Sequence, residues 1–92
     1  MDSKLISYIM RSKNRQRILD LLKDIEKTPS QLVKDTNMYL THTHRTIREL
    51  KDKDLIKATN PEDKIYTFYK VTPKGKKILS DVKKTKKDMM LK

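Results

Sequence analysis

A chain of 92 residues, 35% hydrophobic and 38% charged, has room for one modest core and not for two. Its 23 lysines and arginines against 12 acidic residues leave a formal charge of +11, which calls for an anionic partner: nucleic acid, an acidic protein surface or a lipid headgroup layer. With no cysteine there is no disulfide framework or thiolate metal site, and no apolar run is long enough for a signal peptide or a spanning helix, so a cytoplasmic protein without a membrane role is expected.

Leu5, Ile6, Ile9 and Met10 recur at helical spacing and predict a short helix over residues 2–10, followed by a polar stretch in which Ser12 suits a helix cap. The next helix has Ile18, Leu19, Leu22 and Ile25 as its buried stripe, widened by Leu21, with Arg15, Arg17, Lys23 and Lys27 on the wet side. Whether these are two helices or one bent rod stays open. Thr28-Pro29-Ser30-Gln31 then marks a helix start over residues 29–35: Thr28 caps, proline suits the first helical position, and Gln31 can close a capping box. Leu32 and Val33 would point inward, and Asn37 can take the left-handed conformation of a sharp turn.

A further helix over residues 39–53 places Leu40, Thr43, Ile47 and Leu50 on a narrow inward stripe. Its other face carries Thr41, His42, His44, Arg45 and Arg48, short hydrogen-bonding groups and two forked cations of the kind that read base edges and grip phosphates. Asp54 stands where a terminating glycine is usual. A hairpin follows, with strands over residues 55–58 and 65–71 about a polar loop. In the return strand Ile65, Thr67, Tyr69 and Val71 share one face, and Tyr66, Phe68 and Lys70 the other. Thr72-Pro73 repeats the cap-plus-proline signal for a last helix whose core face is Ile78, Leu79 and Val82, extended by Met89 and Met90. Residues 70–92 hold nine lysines and two aspartates, the most basic part of the chain.

This order of elements resembles the small winged helix-turn-helix transcription regulators of the ArsR, MarR and PadR kind found in archaea and their viruses. Residues 11–19 with 28–33 look like the first two helices of that group, residues 40–45 through Leu55-Ile56 like its recognition helix and first wing strand, and residues 69–75 like the second strand running into the final helix. The resemblance implies a mostly helical α+β fold with a two-stranded wing and a C-terminal helix. The resemblance covers about residues 5–82, the core of one domain expected over residues 1–92, with a basic extension over 83–92. It also implies a homodimer on double-stranded DNA whose recognition helix enters the major groove, with Tyr39, Thr41, His42, His44, Arg45 and Arg48 facing DNA and Lys64 at the wing tip. Tyr39 departs from the small capping hydroxyl usual in the family, and Asn37 and Asp54 replace customary glycines.

Each signal has a plainer reading. Arg45 and Arg48 could be solvated residues paired with Glu49 or Asp52, the lysine-rich end a soluble helix face, and Tyr66, Phe68 and Tyr69 ordinary packing. The apolar stripes at the two ends, Leu5, Ile6 and Ile9 with Val82, Met89 and Met90, are expected to bury in a second copy or against each other. No metal site or cofactor is expected. His42 and His44 are two apart and point to opposite sides of a helix, and no third ligand accompanies them. Enzymatic activity is not expected either, since one glycine makes no phosphate-cradling loop and no catalytic constellation is evident. The rival functions are a winged-helix protein-interaction module within a larger assembly and a structured-RNA binder, whose duplex target has a groove too narrow for a helix.

Overall fold

A computed structural model describes residues 3–63 and 66–90. Expectations resting on Lys64, Ile65 and the Met90 side chain lie outside the described residues. The element order is α1 (Ser3–Met10), α2 (Lys13–Leu21), α3 (Pro29–Thr36), α4 (Leu40–Asp52), β1 (Ile56–Ala58), β2 (Tyr69–Val71) and α5 (Pro73–Met90). The strands form one antiparallel pair with Ile56 opposite Val71, Lys57 opposite Lys70 and Ala58 opposite Tyr69.

Local side-chain chemistry sets most of the helix ends. The first two helices are separate. The Ser12 hydroxyl accepts from the Arg15 N–H at 3.2 Å, and α1's last carbonyls are taken by side chains of α2. Arg15 donates to the Tyr8 carbonyl at 2.9 Å, and the Gln16 amide donates to those of Ile9 and Met10 at 3.3 Å. The capping box at Thr28 and Gln31 is formed in both directions. Asn37 is left-handed at φ 60°, and its N–H reaches the Val33 carbonyl at 2.8 Å, so α3 turns at once into α4. Asp54 is left-handed too, at φ 62°. Its N–H donates to the Lys51 carbonyl and the Leu55 N–H to the Leu50 carbonyl, the paired bonds of a Schellman ending, with Leu50 and Leu55 both fully buried beneath them.

One core gathers every element: Leu5, Ile6 and Ile9 from α1, Ile18 and Leu19 from α2, Leu32 from α3, Ile47 and Leu50 from α4, Ile56 and Val71 from the strands, and Ile78, Leu79 and Val82 from α5. At the foot of α5 the Thr72 hydroxyl donates to the Asp54 carbonyl at 2.7 Å and accepts from the Gly75 N–H at 3.0 Å. A Cβ on Gly75 would collide with the Leu55 carbonyl oxygen and stand 2.7 Å from Val71 Cγ1, so this one glycine lets α5 press onto the wing's base.

Three expectations are corrected. Ile25 is 58% exposed, because α2 stops at Leu21 and the Leu22 carbonyl accepts from the Val71 N–H instead of continuing the helix. Leu40 is 50% exposed, because the buried stripe of α4 is Thr43, Thr46, Ile47 and Leu50, turned toward Thr46. Both threonines are accommodated by donating their hydroxyls back one turn, to the carbonyls of Tyr39 and His42. The return strand spans only Tyr69–Val71. Beyond Thr59, whose N–H still donates to the Phe68 carbonyl, the Asn60 side chain replaces the ladder, accepting from the Phe68 N–H at 2.7 Å and donating to the Tyr66 carbonyl at 2.6 Å. Of the two placements expected for the apolar residues at the ends, burial against each other is the one observed: Leu5, Ile6, Ile9 and Val82 are buried where α1 and α5 pack together, and Met89 is 63% exposed.

Candidate nucleic-acid interface

Successive residues of an α-helix turn by about 100°, so the buried stripe of α4 fixes what its other side presents. Thr41, Arg45 and Arg48 stand directly opposite the core, and all three are exposed. His44 and Lys51 lie on one flank of that face, both exposed, while half-buried His42 lies on the other flank beside Glu49. The two imidazoles therefore point about 160° apart. Tyr39, the residue before the first turn, is 84% exposed and makes no side-chain cap hydrogen bond.

The charge of this face depends on a contact made behind it. Glu49, one turn from Arg45, is not its partner. Instead the Arg15 guanidinium of α2 donates to Glu49 Oε2 at 3.0 Å and lies 3.8 Å from the centre of the Tyr8 ring, while the Tyr8 hydroxyl donates to the same carboxylate oxygen at 3.2 Å. Tyr8's hydroxyl is pushed above the usual phenol range, first by burial and then by the Glu49 charge and hydrogen bond, against the opposing pull of Arg15. The expectation that Arg15 stays on the wet side is thus corrected: it is half-buried and joins α1, α2 and α4. Among the described residues, Arg45 and Arg48 form no ion pair or hydrogen bond through their side chains.

Beside the helix, His44, Ile47, Arg48 and Lys51 face Tyr69 of β2 across a shallow concavity of about 200 Å³. Lys51 is an outward residue the sequence reading did not single out, although its place one turn after Arg48 on the same side was available from helical spacing. The described part of the wing tip, Pro61, Glu62 and Asp63, is exposed and carries no positive charge, while Lys57 and Lys70 stand opposite each other on the strands. The lysines of α5 sit elsewhere, on a helix that packs chiefly against α1, α2 and β2. Among the described residues no cluster of histidine and carboxylate groups has the arrangement of a metal site, and no helix is long and apolar enough to cross a membrane.

This geometry matches known folds. The homodimeric winged helix-turn-helix DNA-binding domain of Mb0332 from Mycobacterium bovis, described as a possible ArsR-family transcriptional regulator, superposes with a TM-score of 0.76 at 20% identity, over 92% of this chain and 78% of that one. The adhesin competence repressor AdcR of Streptococcus pyogenes gives 0.71 at 22% identity, over 86% of this chain and 58% of that one. MarR from E. coli gives 0.71 at 23% identity, over 85% and 62%. The chain thus spans somewhat under two thirds of AdcR and MarR, and at these identities the likeness is one of fold. No curated protein matches the sequence. The architecture is a winged helix-turn-helix, α3 and α4 forming the helix-turn-helix and β1 with β2 the wing. By a match that runs over residues 3–92, the chain belongs to the HVO_A0261 N-terminal domain family.

Proposed function

We propose that the chain is a sequence-specific regulator that binds double-stranded DNA, with α4 as the element that enters the major groove. One observation carries the reading: Thr41, Arg45 and Arg48 are presented together on the outer face of α4, and the carboxylate best placed to neutralise Arg45 is held by Arg15 instead. Unpaired arginines can donate to guanine O6 and N7, and the threonine hydroxyl can serve any base edge. Lys51 extends the positive charge toward the wing, with the His44 imidazole beside it. Tyr39 at the tip, His42 on the inner flank and Lys64 of the wing complete the candidate contacts. The overall charge of +11 supplies attraction to phosphates that is independent of sequence and falls steeply with salt.

The working unit in this reading is a homodimer, as in the M. bovis relative. Ile6, Ser7 and Met10 of α1 and Thr85 and Met89 of α5 line an open, largely apolar groove of about 430 Å³. A seam there would involve Met89 with Met10. The recognition helices of such a dimer would be one DNA turn apart, about 34–36 Å, or a multiple of it. Selection from a random duplex pool at physiological salt tests the reading: it should enrich a near-palindromic sequence. Failure to enrich any sequence, or equal competition by duplex RNA, would overturn it. Sedimentation at micromolar concentration should show twice the 11.0 kDa chain.

A further inference from the structure

We infer that Leu40 selects thymine, by seating its side chain against the C5 methyl group in the major groove. The inference rests on the duplex-binding reading above and adds to it a base and the residue that reads it.

Leu40 has the composition of a core residue and not the position of one. It opens α4, half its surface is in water, and the inward stripe passes it by in favour of Thr43 and Thr46. It shares a flank with His44, one turn further on, beside the face that carries Thr41 and Arg48. Tyr39 precedes it, still more exposed, so the tip of an otherwise polar surface ends in two large apolar side chains. The joint between α3 and α4 does not need them, because it is closed by the Thr36 hydroxyl, which donates to the Leu32 carbonyl at 2.6 Å and accepts from the Met38 N–H at 3.3 Å.

The major-groove edges of the bases are hydrogen-bonding groups with one apolar exception, the thymine methyl. The first turn of a recognition helix is the part that meets base edges. A leucine there can make no hydrogen bond, so opposite cytosine N4 or guanine O6 it would strip water from a polar group and offer nothing in return. Opposite thymine it buries a methyl group against its own.

The test replaces each thymine of the selected duplex by uracil, one base pair at a time, which removes the methyl and leaves every hydrogen-bonding group. At one base pair per half-site the wild-type protein should bind about fourfold more weakly, the equivalent of about 0.8 kcal/mol at 1.4 kcal/mol per tenfold. Leu40→Gln should bind the thymine and uracil duplexes alike, as should Leu40→Ala to within about twofold, both still folding cooperatively with only a small fall in melting temperature because half of the side chain is already in water. 5-Methylcytosine should recover affinity where cytosine is placed at that position. Equal wild-type affinity for every uracil duplex would overturn the inference while leaving DNA binding intact. A uracil effect that persists in Leu40→Gln would assign the methyl to another residue and overturn it as well. If no duplex is selected at all, the regulator reading falls first and this inference with it.

Discussion

Arg15 and Glu49, thirty-four positions apart in the chain, meet at 3.0 Å with the Tyr8 ring stacked beneath the guanidinium. Through this contact α4 is held to α1 and α2 at a point away from the face it offers to solvent. Both ends of the pair are partly screened from water, which lifts the interaction above that of an exposed surface bridge.

Arg15→Ala should therefore lower the free energy of unfolding by about 1.5–3 kcal/mol, since it removes charged hydrogen bonds and the packing of the guanidinium on Tyr8. Arg15→Lys should recover only part of that, because an ammonium cannot both stack flat on the ring and fork between Glu49 and the Tyr8 carbonyl. Urea titration of the two variants, Glu49→Ala and the Arg15→Ala/Glu49→Ala double mutant gives the coupling, expected at about 0.5–3 kcal/mol.

The raised Tyr8 hydroxyl carries a stability signature at alkaline pH. The folded protein holds this proton more tightly than the unfolded chain does, so the contribution is fully present below the ordinary tyrosine value of 10.0 and is lost as pH rises through the folded value. Wild-type protein should lose more stability than Tyr8→Phe between pH 9.5 and 11.5, and the two should run parallel between pH 6 and 9. Urea midpoints across that range decide it.

On the candidate interface, Arg45→Ala and Arg48→Ala should each cost about 1–3 kcal/mol of discrimination at one base pair, or about 5- to 150-fold in Kd for the preferred duplex. Their unfolding free energies should stay within about 0.5 kcal/mol of wild type, because neither side chain is packed. Fluorescence anisotropy on matched and single-mismatch duplexes separates a reading role, which relaxes one position, from a phosphate contact, which weakens all sequences alike and flattens the salt slope.

Gly75→Ala should destabilise by at least about 1–3 kcal/mol, although alanine is ordinarily the better helix former. The added methyl meets backbone at Leu55, which has no rotamer to change. Thermal melting shows the sign directly: a rise in melting temperature would contradict the close approach of α5 to the wing's base.

What the sequence disclosed and what it hid divide along a physical line. Ser12, Thr28 with Gln31, Asn37 and Asp54 act on backbone groups within a few residues of themselves, so their roles could be read from local order alone. So could Thr41, Arg45 and Arg48, which face outward because Thr43, Ile47 and Leu50 face inward. Arg15 looked solvated because its partners are on two other helices. Leu40 looked buried because it is apolar and falls at helical spacing from Thr43 and Ile47, whereas the buried stripe is turned toward Thr46, a polar residue that hydrophobicity passes over. The wing strand looked long because Ile65 to Val71 is rich in strand formers, whereas the Asn60 side chain had already taken the place of the ladder. For the apolar residues at the two ends the pattern allowed either a second copy or mutual burial, and the packing of α1 on α5 shows the latter.

The short strand β2 is hydrogen-bonded along both of its sides. On one side it pairs with β1. On the other, Tyr69 exchanges N–H and carbonyl bonds with Lys27, and the Val71 N–H donates to the Leu22 carbonyl. No open row of amides is left there to template a foreign strand. The wing is also riveted to the connector that launches α3, so a load on the hairpin would pass into the helix-turn-helix instead of bending a loose flap.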